Sequence, residues 1–188
     1  VPNGGRGIPP GDPVEIQQVT GAQIMKKPVV LATRERPWAY LLPREAKDAV
    51  AMLRRHGITV EQLSQTTSLE VQAYTVAGVT HERAYNHAAA TKVEVGEVLT
   101  IQETFPAGTY VVPTAQYLGR LVAHMLEVET EDNVVYWNTM DGWIPREATP
   151  AGRGRGGRGG GQAQAARPPF VPIYKVMAPV ALGTRVIR

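Results

Sequence analysis

The sequence of 188 residues has no cysteine, which excludes disulfides, thiol catalysis and cysteine-ligated metal. It has no apolar run long enough to cross a bilayer as a helix. No signal-peptide pattern is visible, and the chain begins at Val1 rather than methionine. That beginning reads as a piece processed from a longer precursor, and it leaves export open. Histidine is scarce: there are four, and none follows His124. Acid is missing from the last stretch, where residues 151–188 carry seven Lys and Arg and no Asp or Glu, a net +7. Residues 1–150 carry 13 basic against 17 acidic side chains, a net −4. A mildly acidic body thus bears a basic tail. Such a tail suits nucleic acid, an anionic surface, or the acidic body of the same or a neighbouring copy. The remaining composition, 43% hydrophobic and 20% charged, is that of one globular domain with a core of its own.

The most legible stretch runs from Phe105 to Trp143. Pro106-Ala107-Gly108 reads as a tight turn, and Thr109 to Val112 as a strand. Pro113 ends that strand, and Thr114 is placed to cap a helix. The helix stripe would be Leu118, Leu121, Val122 and Met125. Glu127, Glu129, Glu131 and Asp132 read as an acidic loop, Val134 to Trp137 as a buried strand, and Asp141-Gly142 as a turn.

Ahead of it, residues 1–36 form a Pro/Gly-rich leader with two candidate strands, Val14 to Val19 and Pro28 to Ala32. Trp38 to Leu42 reads as a strand and Pro43-Arg44-Glu45 as a helix start. Ala46, Ala49, Val50 and Leu53 form the helix stripe, Gly57 stops it, and Ile58 to Leu63 is a second strand. This β-α-β order predicts parallel strands joined by a right-handed crossover. Leu69 to Val76 alternates as a strand. Lys92 to Val95 and Val98 to Thr104 follow, with a bend or bulge at Gly96-Glu97. Tyr40-Leu41-Leu42-Pro43 and Tyr110-Val111-Val112-Pro113 echo each other as strand ends before helices. Residues 37–150 form the core domain and residues 151–169 a Gly/Arg-rich low-complexity linker. Residues 170–188 return to strand composition, with Pro172 assigning Phe170 to Val176 to a sheet edge. The predicted fold class is α+β: a mixed sheet of about six strands with two amphipathic helices on one face. Extended, strand-capable tails lie at both ends.

Two blocks carry a family resemblance. One is RPWAYLLPREAKDAVAMLRRHGITVEQL, with LEVQAYTV after it. The other comprises FPAGTYVVP, HMLEVETED and VVYWNTMDGW, with a fainter echo at FVPIYKVMAP. Between about Pro37 and Trp143 the chain resembles the region that follows the catalytic domain in bacterial zinc carboxypeptidases, the carboxypeptidase A-like metallopeptidases. The resemblance implies a C-terminal, non-catalytic appendage of a secreted protein, extracellular or periplasmic. The parent catalytic domain is then a candidate partner.

The catalytic signature of that family is a His-x-x-Glu pair with a second histidine far downstream. His124 and Glu127 have the spacing and would share a helix face, but the later histidine is missing. The expectation is therefore no catalytic residue, no metal and no cofactor. His81 and His87, with Glu82 between, lack the i, i+4 spacing of helical zinc pairs and read as solvated loop residues. His56 reads as a cation at a helix C-terminus. Glu127, Glu129, Glu131, Asp132 and Asp141 lack the calcium-loop pattern and read as a solvated acidic cluster, with calcium at residues 127–132 left open. The run Arg153, Arg155 and Arg158 among glycines resembles an RGG segment, but it is short and has no interleaved aromatics, so nucleic acid is not an expected partner.

The functional expectation is a non-catalytic accessory or assembly module. Its principal partner would be itself: a terminal strand adds to an open sheet edge of the next copy, giving an oligomer or an open filament. Two other readings stand beside it, a metallopeptidase-type enzyme and weak nucleic-acid binding through the Arg/Gly-rich segment.

Overall fold

The computed structural model describes residues 18, 20–21, 29–30, 32–82, 88–144 and 169–187. The chain forms two compact units, Val1–Arg34 and Glu35–Arg188. In the first, the described residues are exposed and belong to no helix or strand. The strand expected over Pro28 to Ala32 is thus not formed at Val29, Val30 or Ala32. All but Gln18 of the Val14 to Val19 candidate lies outside the described residues.

The second unit contains β1 (Ala39–Leu42), α1 (Lys47–Arg55), β2 (Glu61–Leu63), β3 (Thr67–His81), β4 (Thr91–Phe105), β5 (Tyr110–Pro113), α2 (Gly119–Leu126), β6 (Tyr174–Val176) and β7 (Thr184–Val186). All seven strands join one sheet in the order β4-β3-β6-β1-β5-β2-β7. Every pairing is antiparallel. The expected α+β fold with a mixed sheet is overturned: the protein is β-rich, and its helices are short, nine and eight residues. The β-α-β reading went wrong at a single point. β1 and β2 each pair antiparallel with β5, so they do run the same way, but β5 lies between them. A hydrophobic pattern sets strand directions without naming the strand that fills the gap. The two echoing strand ends turn out to be that contact, with Tyr40 opposite Val112 and Leu42 opposite Tyr110.

Helix α1 follows local rules. Ala49, Val50 and Leu53 face inward. Gly57 takes φ +80°, its N–H bonds to Arg54 O, and Ile58 N–H bonds to Leu53 O. That pair of bonds is a Schellman stop, which needs a residue free to enter the left-handed region. Helix α2 departs from expectation. Thr114 does not cap it; its hydroxyl donates to Pro37 O at 2.7 Å and so ties the end of β5 to the chain entering β1. The helix starts later, and its buried stripe is Val122, Met125 and Leu126, with Leu121 half-buried.

The strand expected at Val134 to Trp137 is instead a series of turns. Asn133 is the cause. Its buried Oδ1 accepts the N–H groups of Val135 and Tyr136, both at 2.9 Å. Its Nδ2 donates to Val128 O and Thr130 O. A side chain that takes over backbone partners in this way competes with a strand ladder. Val134, Val135 and Met140 still reach the core.

One sheet face carries Tyr40, Leu42, Tyr74, Val76, Tyr110 and Val112, and it belongs to one core with α1, α2 and the 127–144 turns. A second, smaller core holds Ala39, Leu41, Leu69, Val71, Phe105 and Val111, with Tyr174 and Leu182 packed against it. The β3–β4 hairpin does bulge at Gly96-Glu97, though as one continuous 15-residue strand rather than two. Thr75 Oγ1 accepts the Glu97 N–H at 2.7 Å across the hairpin. A Cβ on Gly96 would come within 2.6 Å of that oxygen.

Pro172 does not set an edge strand. The strand that follows it, β6, is only Tyr174–Val176, and it sits between β3 and β1 near the middle of the sheet. This placement creates the polar cluster described next.

Candidate functional site

Tyr40 of β1 lies opposite Lys175 of β6, and β6 lies beside β3, which carries Tyr74. Glu127 follows the last residue of α2. The sheet and the helix end thus bring four polar side chains to one point inside the core. Exposure is 0% for Tyr40, 2% for Tyr74, 7% for Glu127 and 3% for Lys175.

The geometry closes on itself. Lys175 Nζ lies 2.7 Å from Glu127 Oε1. Tyr40 OH donates to the same oxygen at 2.7 Å. Tyr74 OH donates to Glu127 Oε2 at 2.8 Å and accepts from Lys175 Nζ at 2.8 Å. The ammonium also lies 4.8 Å from the centre of the Tyr74 ring, within reach of its negative face. Among the described residues no buried side-chain nitrogen or oxygen lacks a partner. Burial, then the hydrogen bond to Glu127, pushes the Tyr40 phenol well above its ordinary range. A closed set of this kind holds three strands and a helix end in one arrangement. It gives a substrate no way in.

A second polar group lies at the surface, where β3 and β4 meet the 127–144 turns. Glu82 forms an ion pair with Lys92 and accepts the Tyr136 hydroxyl at 2.7 Å. Its hydrogen bonds raise the pKa of both Lys92 and Tyr136. Thr91 Oγ1 lies 3.2 Å from His81 Nδ1 and donates to Asp141 Oδ1. Asn138 bridges Asp141 and Ala89 O. A cleft of about 270 Å³ runs beside it, lined by Lys92, Glu129, Glu131 and Tyr136 among others. Glu82 and Asp141 are each engaged by neighbours, so the cluster works as a clasp between hairpin and turns.

The residues singled out in the sequence are scattered. His124 is exposed, while Glu127 turns into the core, so the His-x-x-Glu pair does not share a site. This corrects the reading of Glu127 as part of a solvated acidic loop. Glu129, Glu131 and Asp132 are exposed, and Asp141 is held by Thr91 and Asn138. His56 sits at the α1 C-cap, with Nδ1 2.9 Å from Met52 O. His87, Arg153, Arg155 and Arg158 lie outside the described residues. Among the described residues no three His, Asp or Glu side chains converge on a point that could hold a metal ion. Tyr40, Tyr74 and Lys175 were missed. Each sits in a short apolar run whose pattern says strand, and no local signal says that a lysine there is buried.

No protein-family model matches the sequence, and no solved structure matches it. Curated relatives do. The chain is 30% identical over 120 residues to a probable carboxypeptidase 2 of Arthroderma benhamiae, a match covering 64% of this chain and 22% of that protein. It is also 30% identical, over 121 residues, to carboxypeptidase 2 of Trichophyton tonsurans and of Trichophyton equinum, covering 64% of this chain and 21% of theirs. The chain carries a carboxypeptidase-related region. These relatives are fungal, where the sequence resemblance pointed to bacterial proteins. The match spans about a fifth of the length of each of these relatives.

Proposed function

We propose that this chain is a non-catalytic accessory module derived from a secreted zinc carboxypeptidase-like protein, and that it acts by assembling with copies of itself. The observation that carries the non-catalytic part is the Glu127–Lys175–Tyr40–Tyr74 cluster. It is the densest gathering of ionisable groups in the described core, and it is shut off from solvent and fully partnered. General acid–base work needs a group that can reach its substrate, and these four hold one another instead. The small share of each carboxypeptidase that the match covers supports the same reading. Placing the matched region C-terminal to a catalytic domain, and outside the cell, belongs to this proposal.

The test is an assay of the isolated chain on peptides with free C-termini, with zinc supplied. No release of C-terminal residues is expected. Turnover that depends on stoichiometric zinc, and that survives further purification, would replace this reading with the enzyme. Assembly is tested separately by light scattering over a range of concentrations, with growth in mass expected.

A further inference from the structure

Among the described residues the sheet has one long open edge, that of β4, whose single strand neighbour is β3. Natural sheets blunt such edges with charge, proline or bulges, because the free N–H and C=O groups template pairing with other chains. In β4 the protection is uneven. Lys92, Glu94 and the bulge at Gly96-Glu97 guard the first half. The second half, Val98-Leu99-Thr100-Ile101-Gln102, has no charge, no proline and no irregularity in its register. Val98 is 42% exposed, and Leu99 and Ile101 are half-buried.

The direction of the free groups follows from β3. Tyr74 O accepts the Val171 N–H and Val76 N–H donates to Pro169 O, so the backbone of β3 at these residues faces away from β4. Val98 stands opposite Tyr74. In an antiparallel pair the opposed residues either exchange both bonds or turn both away. Val98 therefore turns its N–H and C=O to the open side, and so by alternation do Thr100 and Gln102.

A segment with matching chemistry lies in the same sequence. Val29 and Val30 are 77% and 79% exposed and belong to no strand. They sit in Lys26-Lys27-Pro28-Val29-Val30-Leu31-Ala32-Thr33-Arg34, a β-branched run bracketed by basic residues. The open half of β4 is bracketed by Glu97 and Glu103. The two charge brackets have nearly the same span, so strand pairing in either direction places basic beside acidic ends.

We infer that β4, over Val98 to Gln102, is an acceptor edge for residues 28–33 of a second copy of this chain. Backbone bonds along the edge bind, and the Lys/Arg and Glu brackets set the register. Donor and acceptor surfaces differ, so the contact is heterologous and propagates from copy to copy. This rests on the self-assembly reading above and names its contact.

The experiment uses the full chain and a fluorescent peptide of residues 26–35. Thr100→Pro removes an outward donor and leaves the β3 bonds in place; Gln102→Pro is the second such variant. Peptide binding by the parent is expected to fall at least about tenfold in either proline variant that retains the parent melting curve, which is about 1.4 kcal/mol. Two further peptides, N-methylated at Val29 and Leu31 or at Val30 and Ala32, keep the test open even if both variants misfold. One of the two should lose binding, because only one alternate set of N–H groups faces β4. Equal binding by parent and folded variants, or by all three peptides, overturns the inference. A parent that stays monomeric yet binds the peptide with this pattern sinks the assembly reading and leaves the edge standing. A parent that assembles but neither binds the peptide nor changes with Thr100→Pro sinks the edge alone.

Discussion

Lys175 Nζ and Glu127 Oε1 lie 2.7 Å apart inside the core, with Tyr40 and Tyr74 closing the remaining sides of the carboxylate. Removing water from two opposite charges is expensive, and their attraction repays the cost only when every other lone pair and proton is used. Here each nitrogen and oxygen of the four side chains has at least one hydrogen-bond partner. The pair therefore punishes any structure in which one member is missing, more than it adds stability as a whole.

Lys175→Met is expected to cost about 3–5 kcal/mol, because it leaves the Glu127 charge buried and unpaired. The double variant Lys175→Met with Glu127→Gln should recover much of that loss. Urea denaturation of the two single variants and the double one measures the coupling. Additive losses would show that the four groups do not act as a unit.

Alkaline pH gives a second handle. The Tyr40 pKa is raised in the folded state by burial, so the folded protein holds this proton more tightly than the unfolded chain, whose phenol keeps the ordinary value of 10.0. The resulting stability is fully present below pH 10 and falls as pH rises past it. Unfolding free energy from denaturation should be flat with respect to this group from about pH 8 to 9 and fall above about pH 10, with the slope approaching one proton per molecule by about pH 11. Tyr40→Phe should be less stable at neutral pH and flatter across that range.

Gly96→Ala should destabilise the hairpin by about 1–3 kcal/mol, since the new Cβ would meet Thr75 Oγ1 at 2.6 Å. Adding Thr75→Ala removes the obstructing oxygen, and with it the bond to Glu97 N–H. Thermal melts of the single and double variants should show a double loss smaller than the two single losses combined.

The helices offer a contrast in burial. Leu53→Ala removes a side chain fully enclosed beneath α1 and should cost about 2–5 kcal/mol. Leu121, though part of the apolar stripe read from sequence, is only half-buried, so Leu121→Ala should cost distinctly less. Equal melting of the two variants would mean that α2 packs by a different face.

Asn133→Ala removes the one oxygen that accepts two N–H groups and the one amide nitrogen that donates to two carbonyls in a buried turn. The expected loss is about 1–3 kcal/mol. Proteolysis should then begin within residues 127–144 while the sheet stays resistant.

Much of the local structure was legible in the sequence because its causes are local. Pro106-Ala107-Gly108 does turn, with Gly108 at φ +87° and Thr109 N–H bonded to Pro106 O. Gly57 does end α1, and Gly96-Glu97 does bulge. Propensity, chain reversal and positive φ act within a few residues, and the letters state them. Asn133 shows where this reading thins out: a single side chain redirected Val134 to Trp137 from strand to turns.

Tertiary structure alone decided the rest. Nothing near Lys175 says that it is central, because β6 is three residues long and its place between β3 and β1 comes from long-range pairing. Nothing near Glu127 distinguishes it from the exposed acids that follow, because its partners come from β1, β3 and β6. Likewise β1 and β2 could be seen to run alike, but not that β5 fills the space between them. Hydrophobic period and turn chemistry are carried by neighbours in sequence. Strand order and the pairing of buried charges are set by residues the chain brings together only when it folds.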